Sequence, residues 1–137
     1  MTGVQTCALP ILAVDRIEKP SKVIVNLPQT DHSVKCDAEK LEVAVANIVT
    51  NAIQAMDDEG IINIRVSDHD KFHLLEIEDS GPGIPENVLP KIFEPLFTTK
   101  PKGTGLGLAT VKNIIEQHNG TIYVKNNPTT FVISLPK

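Results

Sequence analysis

Two asparagines, Asn47 and Asn51, lie four residues apart in the otherwise apolar run NIVTNAIQAM, and Gln54 follows on the same helical face. Residues at i, i+4 and i+7 line one side of an α-helix. A buried amide without a hydrogen-bond partner costs about 1–3 kcal/mol, so these side chains must hold something. Amide oxygens suit a hard cation such as Mg²⁺ that shares its ligands with phosphates. A hydrogen-bond network between elements is the alternative.

A buried carboxylate is predicted at Asp79, the first residue of the segment DSGPGIP. In the strand that precedes it, Leu75, Ile77 and Asp79 share one face by the two-residue period and should point inward. A buried carboxylate needs a hydrogen-bond donor, and the exocyclic amine of adenine would supply one. Gly81 and Gly83 permit a close backbone approach that a side chain would block. An ordinary Gly-Pro turn is the alternative.

A second glycine-rich stretch, GTGLGL at residues 103–108, comes where the pattern predicts the start of a helix. Backbone N–H groups at a helix N-terminus bind phosphate, helped by the helix dipole. The stretch is not a Walker A loop, because no Gly-Lys-Ser/Thr follows it. It also lacks the strand context and the acidic residue of a dinucleotide fingerprint. Alone, it is weak evidence for phosphate binding.

The elements that would position these residues follow from hydrophobic periodicity and from cap and turn residues. Asp37 is the expected N-cap of the helix that carries the asparagines. The predicted elements are strands at 22–27 and 32–36, a helix from Asp37 to about Met56, paired strands at 61–68 and 71–80, a long loop from Ser80 to Thr104, a helix from about Gly105 to His118, and a hairpin of strands at 121–126 and 130–136.

Composition bounds the class of protein. The chain has 137 residues, 41% of them hydrophobic and 22% charged, which suits one soluble globular domain. The net charge of −4 gives no sign of nucleic-acid or anionic-membrane binding. The two cysteines form no CxxC pair and no disulfide framework, which favours a reducing cytoplasm. The longest apolar stretch, residues 8–14, is far too short to span a bilayer.

The N-terminal stretch TGVQTCALPI, residues 2–11, resembles the translation of a common DNA-sequencing library adapter. On that hypothesis residues 1–11 are a non-native leader of a truncated gene, and residues 12–21 are the remnant of a linker. The domain proper would then span residues 22–137. A natural disordered leader is the alternative.

Together and in this order, the motifs resemble those of the ATP-binding catalytic domain of sensor histidine kinases, in the superfamily that includes gyrase, the heat-shock chaperone and mismatch-repair ATPases. NIVTNAIQAM resembles the asparagine box, DSGPGIP the first glycine box, KIFEPLFTTK the phenylalanine box and GTGLGLAT the second glycine box. The resemblance covers about residues 20–137. It implies an α/β sandwich whose mixed, largely antiparallel sheet is covered on one face by helices, with a flexible lid over ATP.

The resemblance also implies roles for individual residues. Asn51 would coordinate Mg²⁺ bridging the phosphates, Asn47 would support the nucleotide one turn earlier, and Asp79 would accept from the adenine amine. Lys100 or Lys102 would reach the γ-phosphate, and a solvated loop charge is the alternative for each. Asn47, Asn51 and Lys100 are thus the predicted catalytic residues. The residues predicted to contact the nucleotide are Asn47, Asn51, Asp79, Gly81, Gly83, Ile84, Phe93, Phe97, Thr98, Lys102, Gly103, Thr104, Gly105, Leu106, Gly107 and Leu108.

The implied activity is transfer of the ATP γ-phosphoryl group to a histidine on an upstream dimerisation domain, and then to an aspartate of a response regulator receiver domain. The four histidines of this chain, His32, His69, His73 and His118, lack the acidic and Asn-Pro context of that phosphoacceptor, and the first three are expected to be exposed. Two alternatives stay open. One is the hydrolytic branch, which has a general-base glutamate where this chain has Asn47; the other is an anti-sigma-type serine kinase or nucleotide-binding module.

Overall fold

The computed structural model describes residues 4–8, 19–28, 33–94, 107–126 and 128–137. Within them a short 3₁₀ turn, Leu89–Lys91, follows the fifth strand. The other elements, in chain order, are β1 (Val4–Ala8), β2 (Val23–Asn26), β3 (Ser33–Asp37), α1 (Ala38–Ala55), β4 (Gly60–Asp68), β5 (Phe72–Asp79), α2 (Gly107–Gln117), β6 (Thr121–Lys125) and β7 (Thr130–Pro136).

Five strands form one mixed sheet in the order β2-β4-β5-β7-β6. β2 runs parallel to β4, and the remaining neighbours are antiparallel. A parallel pair needs a crossover connection, and β3 with α1 provides it. β1 and β3 form a separate antiparallel pair. β1 lies within the segment predicted to derive from an adapter; that origin and the proposed domain bounds stay predictions.

The helices cover one face of this sheet. Inward residues of β4, β5 and β7, among them Ile62, Leu75, Ile77 and Ile133, are almost fully buried. They join one core with α1 and α2. The opposite face is polar: Asn63 donates to Glu78 (3.2 Å) and Arg65 pairs with Glu78 (3.1 Å). The predicted α/β sandwich, with helices on one face, is confirmed.

α1 begins and ends at the residues that the sequence predicts. The side chain of Asp37 accepts a hydrogen bond from the backbone N–H of Lys40 (3.3 Å), which caps the helix. At the other end Asp57 adopts a φ of 57°, and the N–H of Asp58 donates to the carbonyl of Ile53 (3.1 Å). This left-handed stop satisfies carbonyls that the last turn leaves without helical partners.

His118 joins the end of α2 to the start of α1. Its Nε2 accepts a hydrogen bond from the backbone N–H of Asp37 (3.0 Å), and its Nδ1 lies 2.8 Å from the carbonyl of Ile114. Because Nε2 accepts, Nδ1 must carry the proton and donate to that carbonyl. α2 ends at Gln117, close to the predicted end at His118, and Asn119 after it adopts a left-handed φ of 59°.

The exposure predicted for His73 is wrong. Its side chain is 8% exposed and its Nδ1 contacts the carboxylate of Asp68. His73 is in phase with Leu75 and Ile77, so the alternation that turns Asp79 inward also turns His73 inward. His69 is exposed as predicted, and His32 lies outside the described residues.

Candidate functional site

The asparagine pair lies on a half-buried face of α1. Asn47 and Asn51 are both partly covered, whereas Gln54 is exposed. The face therefore presents a pair of amides one turn apart, and the third predicted amide points to solvent.

The start of α2 packs against the first of these asparagines. A Cβ placed on Gly107 would lie 3.4 Å from Oδ1 of Asn47 and 3.8 Å from its Cγ. The structure therefore brings the end of the second glycine stretch to the middle of α1, in close contact with the Asn47 amide.

The first glycine stretch packs against the C-terminal end of α1. A Cβ on Gly81 would lie 3.4 Å from the carbonyl oxygen of Ala55 and 3.4 Å from Cγ of Met56. Asn47, Asn51 and Ala55 follow one another at intervals of four residues along the helix. Since each residue rises about 1.5 Å, the contacts of the two glycine stretches are about 12 Å apart along the helix axis. Asn51 lies between them.

Asp79 is buried, as the strand alternation predicts, with 4% of its surface exposed. Its Oδ1 accepts a hydrogen bond from the N–H of Gly81 (2.8 Å). A Cβ on Gly81 would come within 2.9 Å of that oxygen, a separation that a real side chain would have to relieve by displacing the carboxylate. Glycine at position 81 thus lets the Asp79 carboxylate keep this hydrogen bond in place.

Met56 and Ser80 complete the wall around Gly81, and sequence reasoning missed both. Met56 is 7% exposed. The Ser80 hydroxyl accepts from the N–H of Ile61 (2.9 Å) and donates to Sδ of Met56 (3.4 Å). A Cβ on Gly60 would lie 2.5 Å from that sulfur. Their positions in the sequence could have pointed to both residues, because Met56 is the C-cap of α1 and Ser80 directly follows the buried Asp79.

Other predicted residues lie around this centre. Gly83 adopts a φ of +90°, and the backbone of Ile84 is held by the side chain of Asn126. Phe93 packs edge-to-face on Phe131, with ring centroids 6.3 Å apart. Leu108 is partly buried against the core. Eight predicted residues lie outside the described ranges: Phe97, Thr98, Lys100, Lys102, Gly103, Thr104, Gly105 and Leu106.

Among the residues that the structure describes, no His, Cys, Asp and Glu side chains form a group of three or more that could hold a metal ion. None of the helices in the described ranges has the length and apolar character needed to cross a membrane.

Residues 36–137 match the family model described as histidine kinase-, DNA gyrase B- and HSP90-like ATPase. The chain belongs to this family. Sporulation kinase A of Bacillus subtilis is a similar curated protein. It is 43% identical over 104 residues, which cover 74% of this chain and 17% of that protein. The sensor histidine kinase ZraS of Escherichia coli K12 is 36% identical over 132 residues, 94% of this chain and 28% of ZraS. The chain thus spans less than a third of either relative.

Solved structures of the family share the fold along nearly the whole chain. The mycobacterial sensor histidine kinase MprB matches with a TM-score of 0.87 and 29% identity, covering 97% of each chain. The catalytic domain of histidine kinase ThkA matches with a TM-score of 0.79 and 32% identity, covering 97% of this chain and 96% of that one. The predicted family and its ATP-binding function are confirmed, and the role of each site residue stays a prediction.

Proposed function

We propose that this chain is the catalytic domain of a sensor histidine kinase that holds Mg-ATP along α1 and presents the γ-phosphoryl group to a histidine outside this chain. One observation carries the proposal: both glycine stretches pack on α1, at Asn47 and at Ala55, with Asn51 between them. This arrangement would provide a base end, a metal position and a phosphate end on one helix.

The base end is formed by Asp79, Gly81 and Met56. The Asp79 carboxylate accepts hydrogen bonds only, so it suits the exocyclic amine of adenine, which donates. Guanine presents a carbonyl at that position, and two acceptors would then face each other. Met56 contributes apolar surface beside Gly81, where it would contact the base.

The phosphate end is the start of α2. N–H groups in the first turn of a helix lack helical partners and attract anions. The contact between Gly107 and Asn47 places this turn beside the asparagine face. Lys100 or Lys102 would place a cation beside the γ-phosphate. Both lysines lie outside the described residues.

Asn51 would hold the metal. Mg²⁺ prefers oxygen ligands and keeps several waters while it shares phosphate oxygens, so one amide oxygen from the protein fits it. When bound, the ion would neutralise charge on the phosphates during transfer. The helix places Asn51 one turn from Asn47, between the base end and the phosphate end.

Transfer is favoured over hydrolysis by the residue at position 47. An amide cannot take a proton from water at neutral pH, so Asn47 cannot act as the general base of the hydrolytic branch. The protein contributes positioning and charge stabilisation, as is usual in phosphoryl transfer. The acceptor would be a histidine of a dimerisation domain, the final recipient a receiver-domain aspartate, and the compartment the cytoplasm.

The decisive experiment incubates the chain with γ-labelled ATP, with and without a histidine-bearing dimerisation domain from a similar kinase. The chain alone should bind ATP without acquiring label, and the added domain should acquire acid-labile label. Asn51→Ala should abolish this labelling, whereas Gln54→Ala, an exposed amide on the same helix, should leave it unchanged. Acid-stable label would instead indicate a serine kinase, and rapid phosphate release an ATPase.

A further inference from the structure

The segment of residues 79–84, which begins at the last residue of β5, is attached at both ends to the connection between β6 and β7. We call these residues the base loop. At its first end the backbone N–H of Asp79 donates to the carbonyl of Thr129 (3.0 Å). At its last end both backbone groups of Ile84 bind the side chain of Asn126.

The Asn126 amide matches the Ile84 backbone in both directions. Its Oδ1 accepts from the Ile84 N–H (3.0 Å), and its Nδ2 donates to the Ile84 carbonyl (2.7 Å). The orientation of the amide is determined, because a backbone N–H can only donate and a carbonyl can only accept. The Thr129 hydroxyl also donates to Oδ1 (3.4 Å).

Gly83 brings the tip of the base loop against the same side chain. Its φ of +90° is a conformation that residues with a side chain rarely adopt. A Cβ there would lie 3.4 Å from Oδ1 of Asn126 and 3.7 Å from Oγ1 of Thr129. Gly83 therefore serves the contact with Asn126, whereas Gly81 serves the contact with Asp79 and α1.

The base loop is thus held between two supports. Gly81 faces the end of α1, and Gly83 and Ile84 face Asn126. Asp79, which would read the base, lies at one end of this loop, five residues before the Asn126 attachment. Loss of the Asn126 support would leave residues 81–84 free to move relative to α1, and the Gly81 N–H would then no longer fix the Asp79 carboxylate.

We infer that Asn126 is a positioning residue for nucleotide recognition: it holds the base loop so that Asp79 and Gly81 keep their places beside α1. The inference rests on the proposed function, since it assigns the base end to this loop. Asn126 would not contact the nucleotide itself.

The experiment compares two variants with a neighbouring control. Asn126→Ala removes both hydrogen bonds. Asn126→Asp keeps the shape and the acceptor for the Ile84 N–H, but places an acceptor against the Ile84 carbonyl. Lys125→Ala changes the adjacent residue, whose exposed ammonium lies 3.9 Å from the Glu76 carboxylate. Affinities for ATP and GTP are measured by calorimetry, and backbone exchange by NMR.

Asn126→Ala should bind ATP about tenfold more weakly, because both hydrogen bonds that hold Ile84 are lost and nucleotide binding must then order the base loop again. Its preference for ATP over GTP should fall as well. Asn126→Asp should lose at least as much, and Lys125→Ala should stay within about twofold. The Ile84 amide should exchange faster in both Asn126 variants while the Ile77 amide in β5 keeps its protection.

The outcomes separate the two proposals. Wild-type protein that does not bind ATP overturns the proposed function and this inference with it. Wild-type protein that binds ATP while both Asn126 variants keep its affinity and selectivity overturns the role of Asn126 alone. Equal acceleration of the Ile84 and Ile77 amides would show a general loss of stability and would also overturn it. Should Asn126→Ala fail to fold, the isosteric Asn126→Asp decides.

Discussion

Exchanging the Asp79 carboxylate for an amide tests how the site would read its base. Asp79→Asn keeps the shape of a side chain that is only 4% exposed, and its amide oxygen can still accept from the Gly81 N–H, now 2.8 Å away. With that oxygen on the Gly81 N–H, the group that faces a ligand changes from a carboxylate oxygen, which accepts, to an NH₂ group, which donates.

The expected magnitude follows from hydrogen-bond strengths. A bond to a charged acceptor contributes about 1.5–3 kcal/mol, and an NH₂ group cannot accept from the adenine amine, so ATP should lose about 1.5–3 kcal/mol of binding free energy. GTP should gain about 1 kcal/mol, because the amide can donate to the guanine carbonyl. The preference for ATP over GTP should therefore fall by about 2.5–4 kcal/mol, or about 60- to 700-fold.

Calorimetric titration with ATP and with GTP at fixed Mg²⁺ measures this ratio. The matched control is Glu78→Gln, which removes one negative charge at the adjacent residue on the opposite face of the sheet, where Glu78 pairs with Arg65 (3.1 Å). Glu78→Gln should leave the ratio unchanged. Equal binding of ATP and GTP by the wild-type protein, or an unchanged ratio in Asp79→Asn, would refute the assignment.

Three further predictions follow from the same contacts. Asn51→Ala should weaken Mg-ATP binding more than binding of metal-free ATP, and an identical loss in calorimetry with and without Mg²⁺ would restrict Asn51 to packing. His118→Ala removes hydrogen bonds to Asp37 and Ile114 and should lower the free energy of unfolding in urea by about 1–3 kcal/mol. Exposed His69→Ala should change it little, and equal effects would contradict the link between the helices. Residues 80–94 should gain amide protection in hydrogen exchange when Mg-ATP is added; protection already complete without nucleotide would indicate a rigid, pre-closed site.

Local patterns explain why much of the fold is predictable. α1 begins at Asp37 and ends at the Asp57-Asp58 turn because capping and left-handed stops act between residues a few positions apart. The two-residue period of β5 turns Asp79 inward for the same local reason. His73 shows how such a pattern is misapplied: its residue type suggested exposure, whereas its phase with Leu75 placed it in the core.

Such local patterns do not predict contacts between segments that are distant in the sequence. The sequence does not show that Gly107 lies against Asn47, that Gly81 lies against Ala55, or that Asn126 binds Ile84 across 42 positions. The family resemblance predicted that the glycine boxes and the asparagine helix share a site, but it was silent on Met56, Ser80 and Asn126.

By itself, then, the sequence determined which residues form α1, where the buried carboxylate lies, and which motifs belong together. Tertiary structure decided which side chains support them. The physical reason is that caps and periodicity depend on neighbours along the chain, whereas the supports depend on the strand order β2-β4-β5-β7-β6. That order places the β6–β7 connection beside the end of β5, and the burial of one shared core, rather than any local preference, selects it.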